Sequence, residues 1–162
     1  MQQKYSNIET QTGVHIAGIC NIQIAPKEWL DGDIVKNFLT NTITTAITLK
    51  ADRSFIKLNL LPQSFNFTEK VKSADAGQYY DIEISGETNG ITPDVLQVLN
   101  TLRFHKFICV LTDAKGRQRL VGTRYTGLQL MFGTSTDNKD AEQHIPISLS
   151  MQSPEPAPYL VL

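Results

Sequence analysis

The chain has 162 residues, of which 41% are hydrophobic and 19% charged, and its formal net charge is −1. That is the length of one domain, able to bury about 70% of the surface its unfolded chain exposes. A charge so near zero supplies no bulk attraction to nucleic acid or to an anionic membrane, and no apolar run approaches the ~20 residues of a membrane-spanning helix.

Residues 1–12 are polar and aperiodic, which predicts a flexible N-terminal arm ahead of a single β-rich domain over 13–152. Met1 to Asn7 lacks the apolar core of a signal peptide. Ala17-Gly18-Ile19-Cys20 has the outline of a lipoprotein cleavage site, but Ile19 stands where a small residue is needed. Cytoplasmic synthesis is therefore expected, with Cys20 and Cys109 as two buried, reduced thiols rather than a disulfide.

The first strand pattern places Val14, Ile16, Cys20, Ile22 and Ile24 on one face, with His15, Asn21 and Gln23 opposite. Gly18 interrupts it and marks a bulge. Pro26 ends the strand, and Trp29-Leu30-Asp31-Gly32-Asp33 reads as a turn with an apolar anchor. Next, Ile43, Ile47 and Leu49 alternate with Thr44, Thr48 and Lys50. Ile56, Leu58 and Leu60 then alternate with Lys57 and Asn59, and Pro62 closes that strand. Phe65, Phe67 and Val71 suggest an aromatic-rich strand. From Gln78 to Ser85, Tyr80, Ile82 and Ile84 oppose Tyr79, Asp81, Glu83 and Ser85, the alternation of antiparallel strands wet on one side.

One helix is expected near 92–104. Thr92 suits the N-cap, Pro93 the first helical position and Asp94 the positive end of the dipole. Val95, Leu99 and Leu102 recur at helical spacing, with Leu96 and Val98 widening the stripe. Phe107 to Gly122 follows as a strand apolar on nearly both sides, an Asp113-Ala114-Lys115-Gly116 turn and a basic return strand. Gly116 stands where a bulged hairpin needs positive φ. Leu128-Leu130-Phe132 and Ile145-Ile147-Leu149-Met151 complete the strands around a polar loop, Thr134 to Glu142. Pro146 on the outward face suggests a free edge there. Residues 153–162 are proline-rich and read as an extended C-terminal arm. The whole pattern predicts a mainly β fold, a β-sandwich or partly closed antiparallel barrel, with one short helix.

No assembled chemistry is visible. His105 and Cys109 lie four apart on one strand, ~13 Å, too far to share a metal ion, so no cofactor or metal is expected. Asp81 and Glu83 share a strand face about 7 Å apart, the spacing of an inverting glycosidase pair. A solvated strand face, however, gives neither acid the burial that raises a catalytic pKa. A non-enzymatic protein is expected.

Six cations, Arg103, Lys106, Lys115, Arg117, Arg119 and Arg124, crowd residues 103–124, where Asp113 is the single acid. After Phe107 no aromatic residue is interleaved with them, which argues against nucleic acid. Asp75 to Glu87 carries four acids and no base, Asp81 and Glu83 among them, and so offers a complementary surface on another copy of the chain. The apolar end Tyr159-Leu160-Val161-Leu162, spaced from the domain by Pro154, Pro156 and Pro158, either covers its own core or docks on a neighbour as an added strand. An alternative is a carbohydrate- or peptide-binding sandwich with Phe65, Phe67, Tyr79 and Tyr80 on a concave face.

The order of these parts carries a resemblance. Gly77 to Gly86, a short helix, Asp113-Ala114-Lys115-Gly116, Arg119-Leu120-Val121-Gly122-Thr123 and a last strand running into Pro154 to Leu160 resemble a family of small β-rich structural proteins. These are encoded in phages and prophages of gut Bacteroides-type bacteria. The resemblance covers roughly residues 14–160 and implies a virion or tail component, tail-tube-like in its order of strands around one helix. It implies no catalytic residues, ring-type association with other copies, contact with other tail proteins and a final place in a virion or tail-like particle. The interface would draw on the six cations, on Asp81 and Glu83, and on Pro156, Tyr159, Leu160 and Leu162.

Overall fold

The computed structural model describes residues 18–61, 64–89, 92–133 and 144–162. The expected arm over 1–12, the strand start at Val14 to Ile16, Pro62 and the loop from Thr134 to Glu142 lie outside these. Among the described residues ten strands form one open sheet: β1 (Ile19–Pro26), β2 (Thr42–Ile43), β3 (Ile56–Leu58), β4 (Asn66–Ala74), β5 (Gly77–Asn89), β6 (Lys106–Asp113), β7 (Gln118–Val121), β8 (Leu128–Phe132), β9 (His144–Ser153) and β10 (Tyr159–Leu160). The single α-helix among the described residues, α1 (Pro93–Leu102), sits between β5 and β6 in the chain. Every pairing is antiparallel except β10 with β2.

The architecture turns on β6. β1 occupies one of its edges from Phe107 to Asp113, while β7 and β8 share the other, β7 opposite Cys109–Thr112 and β8 opposite Lys106–Phe107. The chain leaves that edge at Gly122, where φ is +94° and an added Cβ would lie 3.0 Å from the Phe107 carbonyl oxygen. From this fork one branch runs β7-β10-β2 and the other β8-β9-β5-β4, while β1 carries β3 on its far side.

A strand with neighbours on both edges and apolar residues on both faces must be covered twice, and β6 is. Phe107, Cys109 and Leu111 face the main core with Ile22, Ile24, Ile82, Ile84, Leu128 and Leu149. Ile108 and Val110 point the other way into smaller clusters with Ala25, Leu30, Ile43 and Leu120, which Ile34, Ile47 and Phe55 pack against. α1 inserts Leu99 into the main core. Its Thr92 hydroxyl accepts from the Val95 N–H at 3.3 Å, as the N-cap reading requires.

Several expectations are corrected. The alternation over Ile43–Leu49 yields only the two-residue β2. Ile47 and Leu49 lie down over the outer face of β6, held by the Leu30–Leu49 bridge and by Asp31 N–H donating to the Thr48 carbonyl. The register shifts between Ile19 and Asn21, so Ile19 packs on the core and Cys20 is exposed rather than buried. The irregularity falls beside Gly18, whose φ is +137°. Val98 is 55% exposed and lies outside the helix's buried stripe. Pro146 is not on an edge, because β9 lies between β5 and β8. Its carbonyl accepts from Gly133 N–H, so its missing N–H falls on the same side, where the β8 ladder has already stopped.

Candidate interaction surfaces

The hairpin tip is built as its residue types demand. Gly116 takes φ +78° and donates its N–H to the Asp113 carbonyl at 2.9 Å. The Asp113 carboxylate accepts from Lys115 N–H and Arg117 N–H, each at 2.9 Å, and from Arg117 Nε at 2.7 Å. Burial pushes this carboxyl upward, but the Arg117 and Lys115 donors outweigh it and hold it below the usual carboxylate range. Arg117 is thus spent within its own hairpin. Arg124 lies 3.8 Å from Asp33, and Arg103 stacks on the Phe104 ring at 4.9 Å. Arg103, Lys106 and Lys115 have no ion pair among the described residues.

Arg119 is the centre of a clasp. Its Nη2 donates to Glu69 at 3.1 and 3.2 Å and to the Ala157 carbonyl at 2.9 Å, while Glu69 accepts the Ala157 N–H at 2.8 Å. The guanidinium lies 4.9 Å from the ring centres of both Phe67 and Tyr159. β4, at the far end of one branch, is thereby joined to β7 and to the C-terminal segment by side chains instead of a ladder. The sheet curls but does not close.

The C-terminal segment is therefore part of the domain's own sheet. Tyr159 and Leu160 pair with Arg119 and Gln118 of β7 and with Thr42 and Ile43 of β2. Ala157 is buried, and Leu160 packs against Ile43, Val110 and Leu120. Lys36 reaches back to Glu155 at 2.7 Å. Pro156 is half-buried, while Leu162 is exposed beyond the last pairing.

On the opposite branch Asp81 pairs with Lys72 of β4, and the Glu83 carboxylate accepts from the Ser148 hydroxyl at 3.2 Å. The hydrogen bond from Lys72 is the main reason the Asp81 carboxyl sits below its usual range. A group lowered in this way is a poor general acid near neutrality. Phe65, Phe67 and Tyr80 pack on the core, and Tyr79 alternates to the other face, so the four rings share no concave surface. The two surfaces expected to meet between copies are thus engaged largely within the chain: Arg117, Arg119 and Arg124 on one side, Asp81 and Glu83 on the other. Glu69 escaped sequence reasoning because its partners lie 50 and 88 residues away, and nothing in the β4 pattern marks it.

What stays outward is strand edge and apolar side chain. β4 is nine residues long and ends the sheet. The hairpin from Val71 to Gln78 is exposed and projects beyond the end of the β9 ladder at Tyr80. Phe38 and Leu39, 75% and 98% exposed, stand out beside β2, in a stretch whose single apolar pair between Asn37 and Asn41 gave no periodic signal.

Over the described residues, fold and surface together define a mainly β protein with one α-helix and an open sheet. No helix among the described residues is long and apolar enough to cross a membrane. Comparison with protein-family models, with curated proteins and with solved structures finds no match.

Proposed function

We propose that this chain is a non-enzymatic structural subunit that self-associates, a component of a phage tail or tail-like particle as its sequence resemblance implies. The observation that carries the reading is the open sheet, in which β3 and β4 are terminal strands among the described residues, whereas the outer edge of β2 is already bonded to Asn37. A terminal strand presents unpaired backbone donors and acceptors to any further chain. A head-to-tail repeat of such contacts builds rings or filaments. β4 bears Lys70 and Lys72, and two copies pairing antiparallel about Val71 would set Lys70 against Lys72, so that symmetric register is disfavoured.

Light scattering over a dilution series, with negative-stain images of the same samples, tests the reading. Rings, tubes or a mass rising with concentration are expected. A strict monomer at every concentration would overturn self-association.

A further inference from the structure

The loop joining β2 to the preceding chain is a preformed apolar knob. Asn37 N–H donates to the Thr42 carbonyl at 2.8 Å and Thr42 N–H returns the bond at 3.3 Å, closing a tight loop over residues 38–41. Inside it the Asn37 side-chain oxygen accepts the N–H groups of Leu39 and Thr40 at 3.0 and 3.3 Å. Asn41 takes φ +53° and anchors the base by donating to the Ala157 carbonyl at 3.3 Å. The loop's own backbone and side-chain bonds hold its shape, yet Phe38 and Leu39 remain 75% and 98% exposed, with only the Lys36 ammonium over the Phe38 ring at 5.7 Å. An ordered loop that offers two large apolar side chains to water has the form of a contact with the entropy of ordering already met.

A matching recess lies at the other side of the molecule. Ile56, Leu58 and Leu60 line one wall of a cleft of about 330 Å³, and Val95, Val98, Leu99 and Leu102 of α1 line the other. That volume is at the small end of ligand-sized pockets, room for one or two apolar side chains. Val98, more than half exposed, stands at its rim. The charged residues lining it, Lys57 and Asp94, are of opposite sign, the knob residues 37–41 carry no charge, and the neighbouring Lys36 is already paired with Glu155 at 2.7 Å, so the contact faces little net charge.

The topology separates the two features. Strands run β2-β10-β7-β6-β1-β3 in hydrogen-bonded order, with the knob beside β2 and the cleft beside β3. Five strand spacings separate these edges by about 24 Å along the sheet, and with Phe38 and Leu39 75% and 98% exposed the knob does not occupy the cleft of its own chain. We infer that the Phe38–Leu39 knob of one copy seats in the cleft between β3 and α1 of a second copy, a head-to-tail contact that each chain can make at both ends.

This rests on the self-association reading above and names its contact. A seated Phe ring buries about 150–250 Å², so two side chains and their cleft fall well short of the ~1,200 Å² of a standard stable interface. A single contact is weak, and assembly then depends on concentration and on closure of the repeat.

The test uses the full chain in a Cys20→Ser background, which removes the exposed native thiol. Leu39→Cys in one preparation and Val98→Cys in another are mixed under a mild oxidant. A disulfide-linked heterodimer is expected, at least tenfold enriched over like-with-like dimers; no enrichment overturns the contact. In parallel, Leu39→Ser and Val98→Glu, both at exposed positions that spare the core, should each weaken self-association at least tenfold by sedimentation. An equimolar mixture of these two variants should recover dimers and nothing larger. Rings that form undiminished from both variants would overturn the contact and leave the self-association reading standing. A chain that stays monomeric at every concentration and gives no enriched heterodimer would overturn both the contact and the reading.

Discussion

Asp113 receives three hydrogen bonds at one hairpin tip, and its surroundings make its contribution depend on pH. Because its folded carboxyl is held below the unfolded value of about 3.9, ionised Asp113 favours folding above that value. The benefit is lost as pH falls through the folded value. Asp113→Ala should cost about 1–2 kcal/mol in urea unfolding at neutral pH, the scale of losing charge-assisted bonds to two backbone N–H groups. The gap between native chain and variant should close in acid. A gap constant down to pH 3 would show that turn geometry, not charge, carries the effect. This site was legible in sequence because all its parts lie within five residues: an acceptor, a positive-φ glycine and the strands either side. The Glu69–Arg119 clasp was not, since a charged residue on a strand face looks the same whether its partner is water or a guanidinium folded in from another branch.

At the scale of elements, the C-terminal segment shows how little a proline-rich stretch reveals about where it lies. Its residue types predict extension, and it is extended. Its docking depends on β7 and β2 offering an edge and on Arg119 and Glu69 gripping both backbone groups of Ala157. Deleting Pro156–Leu162 should therefore cost about 3 kcal/mol or more: it exposes Ile43 and Leu120, unpairs two strands and strands a half-buried ion pair. That corresponds to a melting temperature lower by roughly 6–12 °C for a chain of this size. An unchanged melting temperature, read by circular dichroism, would mean the segment adds nothing to its own domain. The same contrast separates two other elements. Over Tyr79–Ser85 alternation reported a real ladder, because one face is core and the other wet. Over Ile43–Leu49 a similar alternation arose from side chains lying flat on the back of β6, where period two needs no partner strand.

For the whole molecule, the two-sided burial of β6 has a consequence for cooperativity. The main core and the outer clusters share one strand, so neither can open while the other keeps its packing. β6 is also covered on both edges, by β1 and by β7 and β8. Its amides should exchange with solvent only through global unfolding, and those of β1 at Ile22–Ala25 should share that same free energy. The hairpin from Val71 to Gln78, exposed and without a third strand, should exchange orders of magnitude faster than β6. Hydrogen exchange followed by mass spectrometry or NMR reads both directly. If the outer clusters were instead a separable layer, the segment over residues 27–55 would lose protection at lower denaturant than Phe107, Cys109 and Leu111. Ile108→Ala would then loosen that segment alone. With β6 shared, Ile108→Ala should lower the opening free energy of inner and outer residues by the same amount, since the only route to either core is through the strand they have in common.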